Sequence, residues 1–233
     1  MMLSSLFLTA MALIPTVFGA PSGSVPQLGD LLHGDENKGN AIQARQGGYF
    51  WSSWSEGGGT FRCNNGGGGA YSVTWQSSGG SSGFVCGKGW SPGGNRAVKY
   101  EGTYTPNGPS YLAVYGWTRN PLIEYYIMDA HGELLPNEPW TSKGNFTFEE
   151  GTYEVFTSTR VNKPSIIGTT TFQQYWSVRS EQRVGGTITT GRHFEEWKKL
   201  GLNLGGHDYM IVATEGYTSG STTSNGTSSI TLS

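Results

Sequence analysis

Two glutamates sit in strand-like runs where apolar side chains are the rule. In Leu122-Ile123-Glu124-Tyr125-Tyr126-Ile127-Met128 a side-chain period of two puts Leu122, Glu124, Tyr126 and Met128 on one face and Ile123, Tyr125 and Ile127 on the other. In Asp208 to Tyr217 the same alternation groups Tyr209, Ile211, Ala213, Glu215 and Tyr217. Each acid is therefore flanked by same-face tyrosines. Two carboxyl groups brought together cannot both ionise freely, so one is pushed to hold its proton while the other stays an anion. That division supplies a nucleophile and a proton donor.

The elements that must position these acids are short strands. Gly48 to Ser55 alternates Tyr49, Trp51 and Ser53 with Phe50, Ser52 and Trp54, which turns at least one tryptophan away from the core and makes Trp54 a candidate platform. Thr60–Cys63 and Ala70–Trp75 flank a glycine-rich turn and read as a hairpin. In Ser110 to Trp117, Tyr111, Ala113, Tyr115 and Trp117 form an aromatic face opposite Leu112 and Val114, which leaves the aromatic face available to a ligand. Asp129 to Asn145 reads as irregular, and Pro164-Ser165-Ile166-Ile167-Gly168 as a protruding hairpin tip. Thr169 to Val178 returns as a strand with Phe172, Gln174, Trp176 and Val178 on one face. One helix is expected from His193 to Leu200, capped by Thr189 or Thr190, with Phe194, Trp197 and Leu200 toward the sheet. More than ten strands and one helix predict an all-β domain of two packed antiparallel sheets.

Composition narrows the ligand. The chain has 233 residues, net charge −2 and only 14% charged residues, which gives no electrostatic basis for binding nucleic acid or an anionic membrane. Eight tryptophans, twelve tyrosines and 37 glycines supply flat stacking surfaces and tight turns. A sugar-binding cleft fits that balance, as does any aromatic-rich β sandwich. Residues 1–20 hold an apolar run ending in Gly19-Ala20 and read as a secretory signal peptide, too short to span a membrane. Residues 21–45 read as a propeptide or leader, with Gln46 opening a single domain over 46–233.

Other chemistries lack their residues. His33, His131, His193 and His207 show no metal-ligand spacing, no Gly-x-Ser-x-Gly elbow occurs, and the glycine-rich turn runs into a strand rather than a phosphate-binding helix. No metal or cofactor is expected. Cys63 and Cys86 are the two cysteines; a secreted chain favours a disulfide between them, with two buried thiols as the alternative. Asn145-Phe146-Thr147 and Asn225-Gly226-Thr227 are glycosylation acceptors on a eukaryotic secretory route.

Seven segments, in order, carry a family resemblance: Gly48-Tyr49-Phe50, Gly87-Lys88-Gly89-Trp90, Tyr115-Gly116-Trp117, Asn120 to Tyr126, Pro164 to Gly168, Gln174 to Arg179 and Glu215-Gly216-Tyr217. From Tyr49 to Ser233 the chain resembles the family 11 glycoside hydrolases, secreted endo-β-1,4-xylanases of fungi and bacteria. The resemblance implies a β jelly roll bent like a partly closed right hand, with one helix on its outer face and Pro164 to Gly168 as a mobile thumb tip. It implies Glu124 as nucleophile and Glu215 as acid/base of a retaining double displacement. Tyr115, Tyr126, Arg160 and Gln174 are implied to support the nucleophile. Trp54, Tyr111, Pro164, Tyr209 and Tyr217 are implied to contact sugar. Xylan and xylo-oligosaccharides are then the expected partners of a monomeric, extracellular enzyme.

Two positions depart from the family pattern. Gly83 stands where many relatives place an Asn or Asp against the acid/base, leaving Ser81 or Ser82 to fill that role, and Pro109 stands where many have a sugar-contacting Asn. The alternatives are a jelly-roll carbohydrate-binding protein without turnover and an endoglucanase acting on β-1,4-glucan. The first needs no second acid.

Overall fold

The alternation that defines the glutamate runs is realised as strands with both faces covered. The computed structural model describes residues 44–46, 48–134 and 140–233. The expected signal peptide, His33 and the leader up to residue 43 lie outside the described residues. In chain order the strands are β1 (Ala44–Gln46), β2 (Tyr49–Glu56), β3 (Thr60–Asn65), β4 (Ala70–Ser78), β5 (Ser82–Trp90), β6 (Ala97–Asn107), β7 (Ser110–Arg119), β8 (Ile123–His131), β9 (Thr141–Phe148), β10 (Gly151–Lys163), β11 (Thr170–Arg179), β12 (Gly186–Thr189), β13 (Gly206–Thr218) and β14 (Thr223–Leu232). One helix among the described residues, α1 (Thr190–Lys199), lies between β12 and β13.

They form a two-sheet jelly roll. A nine-stranded sheet runs β1-β2-β5-β13-β7-β8-β11-β10-β9, and a five-stranded sheet runs β12-β6-β14-β4-β3. The antiparallel expectation fails at one pair: β8 and β11 are parallel, with Glu124 opposite Gln174 and Tyr126 opposite Trp176. The cause is topological, because β9 and β10 form the sheet edge and return the chain so that β11 inserts between β10 and β8 in the direction of β8.

One face of the larger sheet packs on the smaller sheet and on α1. Trp51, Phe84, Leu112, Val114, Ile123, Tyr125 and Ile127 meet Tyr71, Val73, Trp75, Val98 and Ile230 there. Cys63 on β3 and Cys86 on β5 form a disulfide, Cα to Cα 6.4 Å, that ties one sheet to the other. Trp197 of α1 is fully buried and donates its indole N–H to Ser177 Oγ at 2.9 Å.

The helix starts at Thr190 behind Thr189, an expected cap position, which makes no side-chain capping hydrogen bond. Thr190, His193 and Trp197 are its buried residues, whereas Leu200 lies past the last turn and is 38% exposed. The glycine that follows ends the helix before Leu200 can face the sheet. On the opposite face of the larger sheet a second cluster gathers Phe50, Val85, Tyr111, Tyr115, Trp117, Tyr126, Met128, Trp176, Tyr209 and Ile211. The aromatic face of β7 is thus not an open surface. Tyr111, Tyr115 and Trp117 are each at most 4% exposed because neighbouring rings pack edge-on or tilted against them.

Candidate active site

β7 separates the two acids in the sheet, with Glu215 on β13 to one side and Glu124 on β8 to the other. All three strands present their cluster-side residues to the same face. Glu215 pairs across with Tyr111 and with Val85, and Glu124 pairs with Trp117 and Gln174. Glu124 is 8% exposed, while Glu215 is only partly buried. One acid is enclosed and the other meets solvent.

Glu124 receives hydrogen bonds at both oxygens. Tyr115 Oη donates to Oε1 at 2.8 Å, Tyr126 Oη to Oε1 at 3.2 Å, and Gln174 Nε2 to Oε2 at 2.6 Å. Behind these donors stand others. Trp117 Nε1 donates to Tyr115 Oη at 2.6 Å, leaving the tyrosine hydrogen for the carboxylate. Ser158 Oγ donates to Gln174 Oε1 at 2.6 Å and accepts from Trp176 Nε1 at 3.2 Å. Each relay therefore points its hydrogens at Glu124, an arrangement matched to an anion that can only accept.

Burial opposes that anion. It raises the Glu124 carboxyl above the ordinary range, and the Gln174 and Tyr115 hydrogen bonds, the Arg160 charge and the Tyr126 hydroxyl pull it back. The tyrosines stay protonated, since burial first and the neighbouring carboxylate second push the Tyr115 and Tyr126 phenols well above their usual value. They remain donors.

Tyr126 also reaches the second acid. Its hydroxyl lies 3.1 Å from Glu215 Oε2. Oxygens 3.2 and 3.1 Å from a third are at most about 6.3 Å apart, short of the ~6.5 to 9.5 Å of inverting carboxylate pairs.

The other expected positions fall around this centre. Tyr111 Oη donates to Tyr217 Oη at 2.6 Å beside Glu215. Tyr209 packs at 6.1 Å from Tyr115 and 5.2 Å from Phe50. Trp54, partly exposed, stands in register with Val85, which in turn faces Glu215. Pro164 is exposed at the turn between β10 and β11, where Ser165 Oγ bonds Gly168 O at 2.6 Å. Asn145 is exposed on β9, and Asn225 lies on β14.

Ser82 does not serve Glu215. Its hydroxyl is turned to the opposite face, where it bonds Ser77 and, at 2.9 Å, Thr218. Strand alternation dictates this, because Ser82, Phe84 and Cys86 share the inter-sheet side and Val85 takes the place opposite Glu215. Ser81 is exposed in the bend that precedes β5. At Gly83 an added Cβ would find only ordinary contacts, 3.4 Å to Gly216 O and 3.5 Å to Tyr217 Cβ. Pro109 uses its carbonyl to accept from Tyr217 N at 3.2 Å.

Trp117 and Ser158 orient the donors to Glu124, a role that the sequence did not assign to either. A signal existed for both, since Trp117 shares the Tyr115 face and Ser158 lies two residues before Arg160 on one strand face.

Comparison with known proteins adds lineage to geometry. Residues 46–230 match the model of glycosyl hydrolases family 11. Ethylene-inducing xylanase 1 of Botryotinia fuckeliana is 47% identical over 226 residues, covering 97% of this chain and 76% of that protein. Endo-1,4-beta-xylanase B of Phanerodontia chrysosporium is 54% identical over 177 residues, 76% of this chain and 60% of that protein. A solved structure from a comparison of the two major endo-1,4-beta-xylanases of Trichoderma reesei superposes with a TM-score of 0.69 at 38% identity, covering 78% of this chain and 96% of that one. With the family's model matched over most of its length and a family member's fold reproduced, the chain belongs to the glycosyl hydrolases family 11.

Proposed function

We propose that the protein hydrolyses internal β-1,4-xylosidic bonds of xylan by a retaining double displacement. The observation that carries this reading is the Tyr126 hydroxyl within hydrogen-bond reach of both carboxyl groups. A phenol has one hydrogen to give. Its hydrogen can be given to Glu124 Oε1 at 3.2 Å or to Glu215 Oε2 at 3.1 Å, one at a time, which ties the two carboxyl groups to a single donor; the general acid of the first step is then Glu215 in its protonated form.

The steps follow from those protonation states. The Glu124 carboxylate attacks the anomeric carbon as the glycosidic C–O bond breaks, and Glu215 gives its proton to the departing oxygen. Water then attacks the same carbon and passes a proton to the Glu215 carboxylate. The bond to Glu124 breaks, and two inversions return the original configuration. Gln174, Tyr115 and the Arg160 charge stabilise Glu124 as the anion it must be before attack and become again on release.

Trp54, Tyr111, Pro164, Tyr209 and Tyr217 are assigned to the sugar chain, with the neutral aromatic surface favouring an uncharged backbone. Secretion through residues 1–20, processing near Arg45 that would cut within the short edge strand β1, a catalytic unit from Gln46 and a monomeric state complete the reading. Among the described residues no helix is long and apolar enough to cross a membrane. The test is a reducing-sugar assay on xylan and carboxymethylcellulose with the unaltered protein and Glu124→Gln. Release from xylan that the substitution abolishes supports the assignment. Preferential release from the cellulose derivative favours the endoglucanase alternative, and no release from either favours a binding protein.

A further inference from the structure

The rings that enclose the acids continue outward to a residue no strand period selects. Trp140 precedes β9, and its ring centroid is 5.1 Å from Trp176 and 5.0 Å from Phe156. Trp176 in turn lies flat on Tyr126, 3.8 Å away with the planes 6° apart. Tyr126 and Trp176 are 3% and 2% exposed, whereas Trp140 and Phe156 are only partly buried. A contiguous series of aromatic rings therefore begins at the hydroxyl shared by the two acids and ends at solvent, on the β10 and β11 side of the larger sheet.

Sealing Trp176 accounts for part of the Trp140 ring. The part that stays exposed is neutral, flat ring, the Nε1 being enclosed, and Trp140 packs against the same cluster as the face that carries the reacting groups. Such a surface suits the C–H face of a pyranose ring. Phe156 supplies the adjoining edge. We infer that Trp140 is a sugar platform at the distal end of the cleft, binding a xylose unit removed from the cleaved bond, and that it sets how strongly the enzyme prefers long chains. The inference deepens the xylan reading and rests on it.

A platform away from the cleaved bond is filled only by substrates long enough to reach it. Its loss must therefore change the ratio of kcat/KM for xylohexaose to that for xylotriose. With Trp140→Ala the ratio is expected to fall about three- to tenfold, the range of one aromatic contact. Trp140→Phe is expected to restore most of it. Trp140→Leu keeps an apolar cover on Trp176 and guards against a folding defect in the alanine variant, and its ratio must fall as well. An unchanged ratio in folded Trp140→Leu, even with both activities reduced together, would assign the residue to packing alone and overturn the inference. Failure of the unaltered protein to cleave any xylo-oligosaccharide would overturn the xylan reading itself.

Discussion

Gln174 donates its side-chain amide to Glu124 Oε2 at 2.6 Å, and the two residues are register partners across the parallel pair β8 and β11. The single parallel pairing of the larger sheet thus sets the donor that contributes most to offsetting the burial of Glu124.

Removing that donor has a definite sign. Gln174→Ala takes away a hydrogen bond that favours the anion, so the Glu124 carboxyl rises further and the acidic limb of the kcat/KM profile moves to higher pH. A hydrogen bond to a charged group corresponds to a loss of about ten- to hundredfold at the optimum. A pH–rate profile whose acidic limb stays in place or moves to lower pH would contradict the role.

Tyr126→Phe deletes the shared hydroxyl and keeps the ring that stacks on Trp176 at 3.8 Å. The expected result is a fall in kcat of about ten- to hundredfold with the thermal midpoint little changed. Calorimetry beside steady-state kinetics separates the two effects. Unimpaired turnover would show that the bridge between the acids is incidental.

His193 makes stability depend on acid. It is fully buried on the inner side of α1, with Tyr153 edge-on at 4.5 Å and Phe146 and Phe148 beside it. Burial first, then the Arg183 and Arg179 charges, lower its pKa from 6.5 to about 3. Above pH 6.5 the ring is neutral folded and unfolded, and it contributes no slope. As pH falls below that, the unfolded chain takes up a proton that the folded chain refuses, so stability declines until about pH 3. At about 1.4 kcal/mol per pKa unit the loss reaches several kcal/mol. Denaturant titrations should find His193→Phe less sensitive than the unaltered protein across this window. Equal slopes would refute the assignment.

Much of this was legible in the chain. The period of two gave the neighbours that share a face with each acid, Tyr126 among them, whereas Tyr115 was implied by the family resemblance and the common face of the two acids by the fold. The parallel β8–β11 pair was not legible, because a local pattern reports which side a residue faces and not which strand lies next to it. Ser82, one of the two serines offered to Glu215, faces the other side for a related reason, since one residue of register separates the two faces of β5. Leu200 matched a helical spacing that the helix does not live to use. Trp140 has no period to betray it, and only the folded sheet brings it to Trp176.

The disulfide joins β3 of the small sheet to β5 of the large one across a sequence separation of 23. Loop closure of that length corresponds to about 3 kcal/mol in the unfolded chain. The paired Cys63→Ser and Cys86→Ser variant should lose about that much in denaturant unfolding while keeping its room-temperature activity, because neither sulfur lies on the cleft face. A stability loss under 1 kcal/mol, against the roughly 3 expected from chain entropy, would contradict it.

Covalent capture of the reaction midway tests the nucleophile itself. A fluorosugar xylobioside with an activated leaving group forms the sugar ester quickly and releases it slowly, so peptide mapping by mass spectrometry can read which side chain carries the sugar. A single adduct on Glu124, absent in Glu124→Gln, is the expected outcome. An adduct on Glu215 or elsewhere, or inactivation without any adduct, would contradict the proposed chemistry.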